Sequence, residues 1–173
     1  LYALQSRPPV YVAATKVIID IMSVSFMTCI AFGTATATLV GQSLGAKRPE
    51  LAERYGWESV RIGVYVMGSL GLVAILAPDV LFMAFSKDLE VIDAGRAPLR
   101  LMGCIESLIA VSLILAQALY GAGNSKYVMK VEFILHITCL VPVAYLLGIV
   151  WGFGLVGIWM AAGLYVGLMS VAM

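Results

Sequence analysis

The chain has 173 residues, of which 62% are hydrophobic and 12% charged, with a net charge of +1 and a mean hydropathy of +1.00. Soluble globular domains carry about 25% charged residues, so this composition excludes an ordinary soluble domain and predicts an integral membrane protein. The nearly neutral charge gives no electrostatic basis for binding nucleic acid.

The first segment, residues 1–16, contains Arg7, two consecutive prolines (Pro8 and Pro9) and Lys16. Two prolines fit poorly inside a helix, because each lacks the N–H group that a helical hydrogen bond needs. We therefore predict the end of an earlier helix followed by a loop. The chain begins without a methionine and ends within an apolar run, so we expect a fragment of a longer protein.

The first membrane span is predicted at about residues 19–43. Residues 21–46 contain no Asp, Glu, Lys or Arg, and a bilayer core about 30 Å thick needs roughly 20 apolar residues in a helix. Small residues recur at every fourth position, at Gly33, Ala37 and Gly41. This spacing is typical of close helix packing in membranes, so we expect this face to pack on another helix.

A polar stripe runs along this first span. With 3.6 residues per turn, Thr38 lies in line with Asp20, and Thr34 and Gln42 lie within about 40° of that line. Threonine hydroxyls in helices also bond to carbonyl groups of their own helix, and an acid near the end of a span reaches water cheaply. The stripe predicts a polar cavity wall, with a structural role for these residues as the alternative.

The second span is predicted at Ile62–Phe85, after a charged segment that begins at Pro49. Acidic and basic residues of this segment alternate at i,i+3 and i,i+4 spacing, which is typical of a solvated helix face. We predict a surface-lying helix there. Pro78 and Asp79 indicate a turn or kink near the far end of the span, and residues 86–93 a polar loop.

Glu106 is the most informative single residue of the sequence. It lies inside the third predicted span, which opens at Pro98, and an ionisable group there is expensive unless it faces the bundle interior or a wet cavity. Gln117 lies about 20° from it around the helix, so both residues share one face. We predict a binding site for a proton or a cation, and a carboxylate paired with a neighbouring helix is the structural alternative.

The last part of the chain is predicted to contain two further spans. No Asp, Glu, Lys or Arg occurs in residues 133–173, a run too long for one span, and the glycines of residues 148–157 divide it. We predict a fourth span near residues 128–149, kinked at Pro142, and a fifth from about residue 155. The fold class is therefore all-α, a polytopic membrane helix bundle of about five spans.

No arrangement of residues indicates catalysis or a cofactor. The sequence has no nucleophile–base pair, phosphate-binding loop or CxxC motif, and the lone His136 favours a hydrogen-bonded structural role over a metal or proton-relay role. Cys29, Cys104 and Cys139 lie far apart in apolar runs, which is neither a disulfide framework nor a metal spacing. We expect buried free thiols, no metal site, no cofactor and no enzymatic activity.

Three motifs resemble the multidrug and toxic compound extrusion (MATE) family. Residues 39–49 (LVGQSLGAKRP) are similar to the family's VGQ-x-LGA pattern, residues 118–125 (ALYGAGNS) to its ALRGAGDT, and residues 152–159 (GFGLVGIW) to its GxGxxGxW turn. The motifs stand in the family's order and at the family's distances, so the resemblance covers essentially the whole chain. Tyr120 and Asn124 replace the usual Arg and Asp and so remove charge from that turn.

The resemblance implies that residues 1–173 are the C-terminal lobe of such a transporter. The five spans would match helices eight to twelve of two six-helix lobes, with residues 10–18 near the exit of helix seven. The missing N-terminal lobe would be the main protein partner, and the location a multi-pass position in the inner (plasma) membrane, within the lipid bilayer. The fragment alone is not expected to transport.

The resemblance also implies an activity and a set of site residues. Members of the family are antiporters, in which a Na+ or H+ gradient drives the expulsion of amphipathic cationic compounds by alternating access. Several members carry an ion- or substrate-binding carboxylate on the helix that Glu106 occupies here. The residues expected to line the cavity with it are Gln117, Asp20, Thr34, Thr38 and Gln42.

Two other functions are compatible with the same architecture. A lipid-linked oligosaccharide flippase of the same superfamily would line its cavity with arginines, and no Arg lies in the middle of a predicted span. A membrane scaffold or enzyme subunit that transports nothing would keep Glu106 paired and dry.

Overall fold

The computed structural model describes residues 8–173. All regular elements in that range are helices: α1 (Pro8–Gly45), α2 (Pro49–Leu76), α3 (Pro78–Phe85), α4 (Leu89–Gly121), α5 (Ser125–Val150) and α6 (Gly154–Ala172). Among these residues, five helices are long and apolar enough to cross a membrane, and only α3 is not. The predicted all-α bundle of about five spans is confirmed.

The predicted loop near the start of the chain is wrong for residues 8–16. Helix α1 begins at Pro8 and continues without a break to Gly45, so residues 10–18 belong to the same helix as the first span. Proline is well tolerated in the first turn of a helix, because the N–H groups there have no helical partner in any case. Residues 1–7, which carry the rest of that prediction, lie outside the described residues.

The charged segment and the second span form one helix, so a separate surface-lying helix is also wrong. Arg61 donates to Glu58 across 3.1 Å on the exposed side of α2. The turn predicted at residues 78–79 is confirmed: the backbone leaves the helix at Ala77, where φ is −132°, and α3 begins at Pro78.

The third span begins earlier than predicted. Helix α4 starts at Leu89, and the Asp88 carboxylate caps it by accepting a 3.0 Å hydrogen bond from the Glu90 N–H. Pro98 therefore lies inside the helix and not at its start. A membrane helix tolerates such a proline when neighbouring helices enclose it, and Pro98 is fully buried.

The two turns that carry the first two motifs have the same capping geometry. At the end of α1, the backbone N–H of Arg48 donates to the Ser43 carbonyl (2.9 Å) and the backbone N–H of Lys47 to the Leu44 carbonyl (2.9 Å). The turn after α4 repeats this pair of bonds, and its left-handed residue is Gly123 (φ 78°). This is the Schellman arrangement, in which glycine normally takes the left-handed position. In the first turn that position is held by Lys47 (φ 57°).

Helix α5 contains two π-helical turns, at His136–Leu140 and Leu146–Val150. The Val141 N–H donates to the His136 carbonyl, and the Trp151 N–H donates to the Leu146 carbonyl at 2.9 Å, five residues back in each case. The two wide turns flank Pro142, where the sequence predicts a kink. Local π-type adjustment is one way in which a membrane helix accommodates a proline.

Helix α4 is the central helix of the bundle, and α1, α2 and α6 pack on it. Glycines allow the closest approaches: a Cβ atom built on Gly33 would lie 2.6 Å from Cγ of Gln117, and one on Gly41 3.1 Å from the Gly121 carbonyl oxygen. Ala37 packs against Gly121 at the same interface. The packing face predicted for the first span is confirmed.

The three cysteines remain free, and the structure corrects their expected burial. Cys29 and Cys139 are buried as predicted, but Cys104 is exposed on α4. An apolar stretch of a membrane helix presents some of its residues to lipid, so position in such a stretch does not ensure burial in protein.

Candidate functional site

Glu106 lies in the interior of the bundle, where three helices meet. It is only 5% exposed. Gly71 of α2 faces it at close range, since a Cβ atom on Gly71 would lie 3.0 Å from Cβ of Glu106. Ser25 of α1 lies next to its carboxyl group, where the hydroxyl can donate a hydrogen bond. We call Ser25, Gly71 and Glu106 the polar layer.

Apolar residues close the polar layer on both sides along the membrane normal. In the described part of the chain, the interior of the bundle contains two clusters of buried apolar side chains. One helical turn from the polar layer, each of the three helices contributes one residue to the larger cluster on one side and one residue to the smaller cluster on the other. The residues are Met22, Ala74 and Met102 on one side, and Cys29, Met67 and Ala110 on the other. The carboxylate is therefore held in a single polar plane within an apolar core.

A cavity of about 170 Å³ opens beside this carboxylate, between α1, α2, α3 and α4. Apart from Ser25 and Glu106, its lining side chains are apolar. One carboxyl oxygen of Glu106, Oε2, is buried and has no hydrogen-bond partner among the described residues. One buried water needs only about 10–15 Å³ of cavity volume. The cavity therefore has room for several waters, a small hydrated cation or the charged group of a larger organic cation.

The polar stripe of α1 lies elsewhere. Thr34, Thr38 and Gln42 are exposed on a face of α1 that no described helix covers. The hydroxyl of Thr34 donates to the Ile30 carbonyl and that of Thr38 to the Thr34 carbonyl (2.9 Å). The structure does not bring these three residues to the Glu106 cavity.

Asp20 and Gln117 are also separate from Glu106. The Asp20 carboxylate forms an ion pair with the Lys16 ammonium group, with 2.9 Å between Oδ2 and Nζ, and the Asp20 side chain is 41% exposed. Gln117 is half-buried against Gly33, and eleven residues of helix put it about 16 Å from Glu106 along α4. The shared face on α4 is present, but the two residues do not form one site.

A second polar group lies on α5. It contains His136 and Glu132, and a role for Glu132 was not predicted from the sequence. His136 stacks edge-on against Tyr165 of α6, with ring centroids 5.4 Å apart and an interplanar angle of 82°. Glu132 is one helical turn before His136 and within electrostatic range of Tyr165 and of Tyr120 at the end of α4. The i,i+4 spacing of an acid and a histidine was the available signal. Because Lys126 and Lys130 precede Glu132 in the sequence, the pattern assigns this acid to the polar turn before the span.

Within residues 8–173, no group of three His, Cys, Asp or Glu side chains is placed to hold a metal ion. What the described part does contain is a membrane helix bundle with an unpaired, buried carboxylate beside a cavity. Intramembrane acids of this kind mark ion or solute pathways. The fold and the site thus define a polytopic membrane protein with the features of a transporter lobe.

The chain belongs to the MatE family, whose family model matches residues 2–146. It is 33% identical over 165 residues to a probable multidrug resistance protein NorM of Mesorhizobium japonicum, covering 92% of this chain and 35% of that protein. It is 29% identical over 150 residues to a probable NorM of Thermotoga maritima, covering 85% and 32%. The chain thus spans about a third of the length of these relatives.

A plant relative and a solved structure extend the similarity. The chain is 28% identical over 154 residues to Protein DETOXIFICATION 55 of Arabidopsis thaliana, with 88% of this chain and 30% of that protein covered. Its fold matches the crystal structure of the eukaryotic MATE transporter AtDTX14 with a TM-score of 0.89 at 21% identity. That match covers 95% of this chain and 37% of the other. The family resemblance seen in the sequence motifs is confirmed.

Proposed function

We propose that the full-length protein is a secondary antiporter that exports amphipathic cationic compounds in exchange for Na+ or H+ across the inner (plasma) membrane. The names of its relatives, multidrug resistance protein and DETOXIFICATION, support the export of foreign compounds. The observation that carries the proposal is Glu106, a buried carboxylate that lies beside a cavity and one oxygen of which has no hydrogen-bond partner among residues 8–173. Residues 1–173 would form the C-terminal lobe, comprising helices eight to twelve.

A single buried charge explains why exchange would be obligatory. Leaving a carboxylate unpaired in an apolar interior costs several kcal/mol, so Glu106 needs a cation or a proton whenever the cavity is dry. Because the polar layer contains one acid, the coupling ion and the positive group of the substrate compete for it. Release of one therefore requires binding of the other.

The uncovered face of α1 supports a second lobe. Thr34, Thr38 and Gln42 form a polar strip on a helix that otherwise lies in the membrane. The threonine hydroxyls are satisfied within α1, but a side-chain amide such as that of Gln42 is unfavourable where it faces lipid. We propose that this strip lines the cleft between this lobe and the remaining two thirds of the protein.

The test is to replace Glu106→Gln in the full-length protein and to measure ethidium efflux from cells at equal expression. The neutral amide keeps the shape of the side chain but cannot bind a proton or a cation as the carboxylate does, so efflux should fall to the background of cells without the protein. Glu50→Gln, at an exposed acid of α2, is the matched control and should leave efflux unchanged. Unaltered efflux in the Glu106→Gln variant contradicts the proposal.

A second measurement identifies the coupling ion and the alternative function. In vesicles that contain the purified protein, efflux should follow an imposed Na+ gradient or an imposed H+ gradient, and should be absent without either. Flipping of a fluorescent lipid-linked oligosaccharide in the same vesicles, without transport of ethidium, would instead favour the flippase.

A further inference from the structure

Helices α4, α5 and α6 bring together an acid and three aromatic side chains outside the Glu106 cavity. Glu132 and His136 lie one turn apart on α5, and His136 contacts Tyr165 of α6 with ring centroids 5.4 Å apart. Tyr120 stands at the C-terminal end of α4, within electrostatic range of the same acid. We call these four residues the Glu132 cluster.

The backbone of α5 departs from α-helical geometry at the cluster. His136 is the first residue of a π-helical turn, and its carbonyl accepts the Val141 N–H five residues on. A π-helical turn redirects the side chains around it, and such turns occur frequently at functional sites. Near the other end of the interface, the Tyr127 hydroxyl donates to the Ala172 carbonyl (2.6 Å) and fixes α5 against the end of α6.

The charge of Glu132 has no cationic partner among residues 8–173. Four ion pairs between described side chains are present, and none involves this acid. Lys130, its nearest basic neighbour in sequence, is exposed and points about 200° away around the helix. A half-buried carboxylate in a membrane span, without a counter-ion among these residues, has an unfilled requirement for positive charge.

An apolar cavity adjoins the cluster. It measures about 360 Å³, lies between α1, α4, α5 and α6, and includes Tyr165, which also belongs to the cluster. Other lining residues are Met22, Met102, Trp159 and Leu140. Methionines and aromatic rings adapt to ligands of varied shape, and the volume is within the range of small-molecule pockets.

We propose that the Glu132 cluster is a second cation subsite, which binds the charged group of an amphipathic organic cation while the apolar part of the compound lies in the adjoining cavity. The cluster offers one carboxylate together with aromatic faces, which attract quaternary and delocalised cations through cation–π contacts. Na+ instead requires several oxygen ligands around a small ion. The inference rests on the proposed export of cationic compounds and adds to it a site distinct from Glu106.

The test uses two ligands of similar shape that differ in charge, methyltriphenylphosphonium and the neutral triphenylphosphine oxide. Their binding to the purified full-length protein is measured by calorimetry in the Glu106→Gln background, so that the cavity of the polar layer no longer contributes a carboxylate. Glu132→Gln should weaken binding of the cation by roughly tenfold, the loss expected for one buried ionic contact. Binding of the neutral ligand should stay within about twofold.

Two substitutions of Tyr165 test the aromatic contribution separately. Tyr165→Phe keeps the ring and should bind the cation within about twofold of the parent, whereas Tyr165→Leu should lose roughly threefold or more. Glu50→Gln serves as the control at an exposed acid. If thermal melting shows that Glu132→Gln is unfolded, the comparison of the two Tyr165 variants decides the matter.

Three results would overturn the inference. The first is absence of cation binding to the Glu106→Gln protein, and the second is unchanged cation binding after Glu132→Gln is added. The third is an equal loss of binding for both ligands in a folded Glu132→Gln variant, which would indicate a structural role only. The outcome is separable from that of the proposed function, because ion-driven efflux through Glu106 is measured by transport and the subsite by equilibrium binding.

Discussion

Glu106 and Glu132 are both acids within membrane spans, but their surroundings differ. Glu106 lies in one polar plane between two apolar clusters, with a single hydroxyl beside it and a cavity of about 170 Å³. Glu132 is half-buried on α5, within electrostatic range of Tyr120 and Tyr165, and Tyr165 also lines a larger apolar cavity of about 360 Å³. The first environment suits a small ion, and the second suits the charged group of a bulky compound.

The difference shows how one lobe could combine an acid for which ion and compound compete with a second site that recognises the compound alone. A charge held in a tight polar plane discriminates by size, because neighbouring apolar side chains leave little room. A charge flanked by aromatic faces and methionines accepts cations of many shapes. If both sites operate, a substitution in the polar layer should affect all substrates alike, whereas one in the Glu132 cluster should affect cationic substrates selectively.

The largest expected effect comes from filling the polar layer. Gly71→Leu places a side chain where a Cβ atom already meets the Gly103 carbonyl and Cβ of Glu106, so we expect a loss of about 3 kcal/mol in stability together with loss of efflux. Thermal unfolding of the purified full-length protein measures the first. Gly56→Ala is the control on the same helix, where an added Cβ meets nothing within 4 Å, and a similar loss there would show that α2 is sensitive to any substitution.

Removing the two acids should change stability in different ways. Glu106→Leu removes a buried carboxyl oxygen that has no partner in the described part of the chain and should raise stability by about 1 kcal/mol, even though efflux is lost. Glu132→Leu, at a half-buried position, should change stability by less than about 0.5 kcal/mol. The same melting experiment measures both variants. A lower melting temperature for Glu106→Leu would mean that this carboxyl group has a hydrogen-bond partner in the full-length protein, and the expected difference between the two acids would be wrong.

The smallest expected effect concerns the hydroxyl in the polar layer. Ser25→Ala removes the side chain that can donate to Glu106 and so destabilises the unbound carboxylate, which should lower the concentration of coupling ion at half-maximal efflux by about fivefold. Ion-driven ethidium efflux in vesicles provides the measurement. Ser23→Ala is the control, because the Ser23 hydroxyl donates to the Asp20 carbonyl at 2.6 Å on the exposed side of α1. Equal effects of the two substitutions would remove Ser25 from the site.

The number and order of the membrane helices could be predicted from the sequence, because long apolar runs report the thickness of the bilayer directly. The residues at which α1 and α4 begin were predicted wrongly, and both errors involve prolines. Pro8 and Pro9 were interpreted as helix breakers and Pro98 as a helix start, yet α1 begins at Pro8 and α4 encloses Pro98. Whether a proline starts, ends or lies within a helix depends on the helices around it, and that information is not local in sequence.

Of the polar layer, only Glu106 could be predicted from the sequence. Glu106 could be identified because a charge within an apolar run is visible in the sequence. Its neighbours Ser25 and Gly71 could not, since they are common residues that reach it from other helices. The role proposed for Asp20, Thr34, Thr38 and Gln42 stays a prediction, because the surface they face is not covered by the described residues.

The π-helical turns of α5 have a consequence for insertions and deletions. A π-helical turn corresponds to one residue inserted into an α-helix, so the turn at His136–Leu140 sets the rotational phase between the two halves of α5. One extra residue would rotate the first half of an α-helix by about 100° relative to the second, and the wide turn absorbs that rotation. Deleting one residue within the turn would therefore restore α-helical geometry and keep Glu132 and His136 on the same side, whereas a deletion elsewhere between them and the rest of α5 would turn them away from α6. Along this helix, the spacing of residues matters as much as their identity.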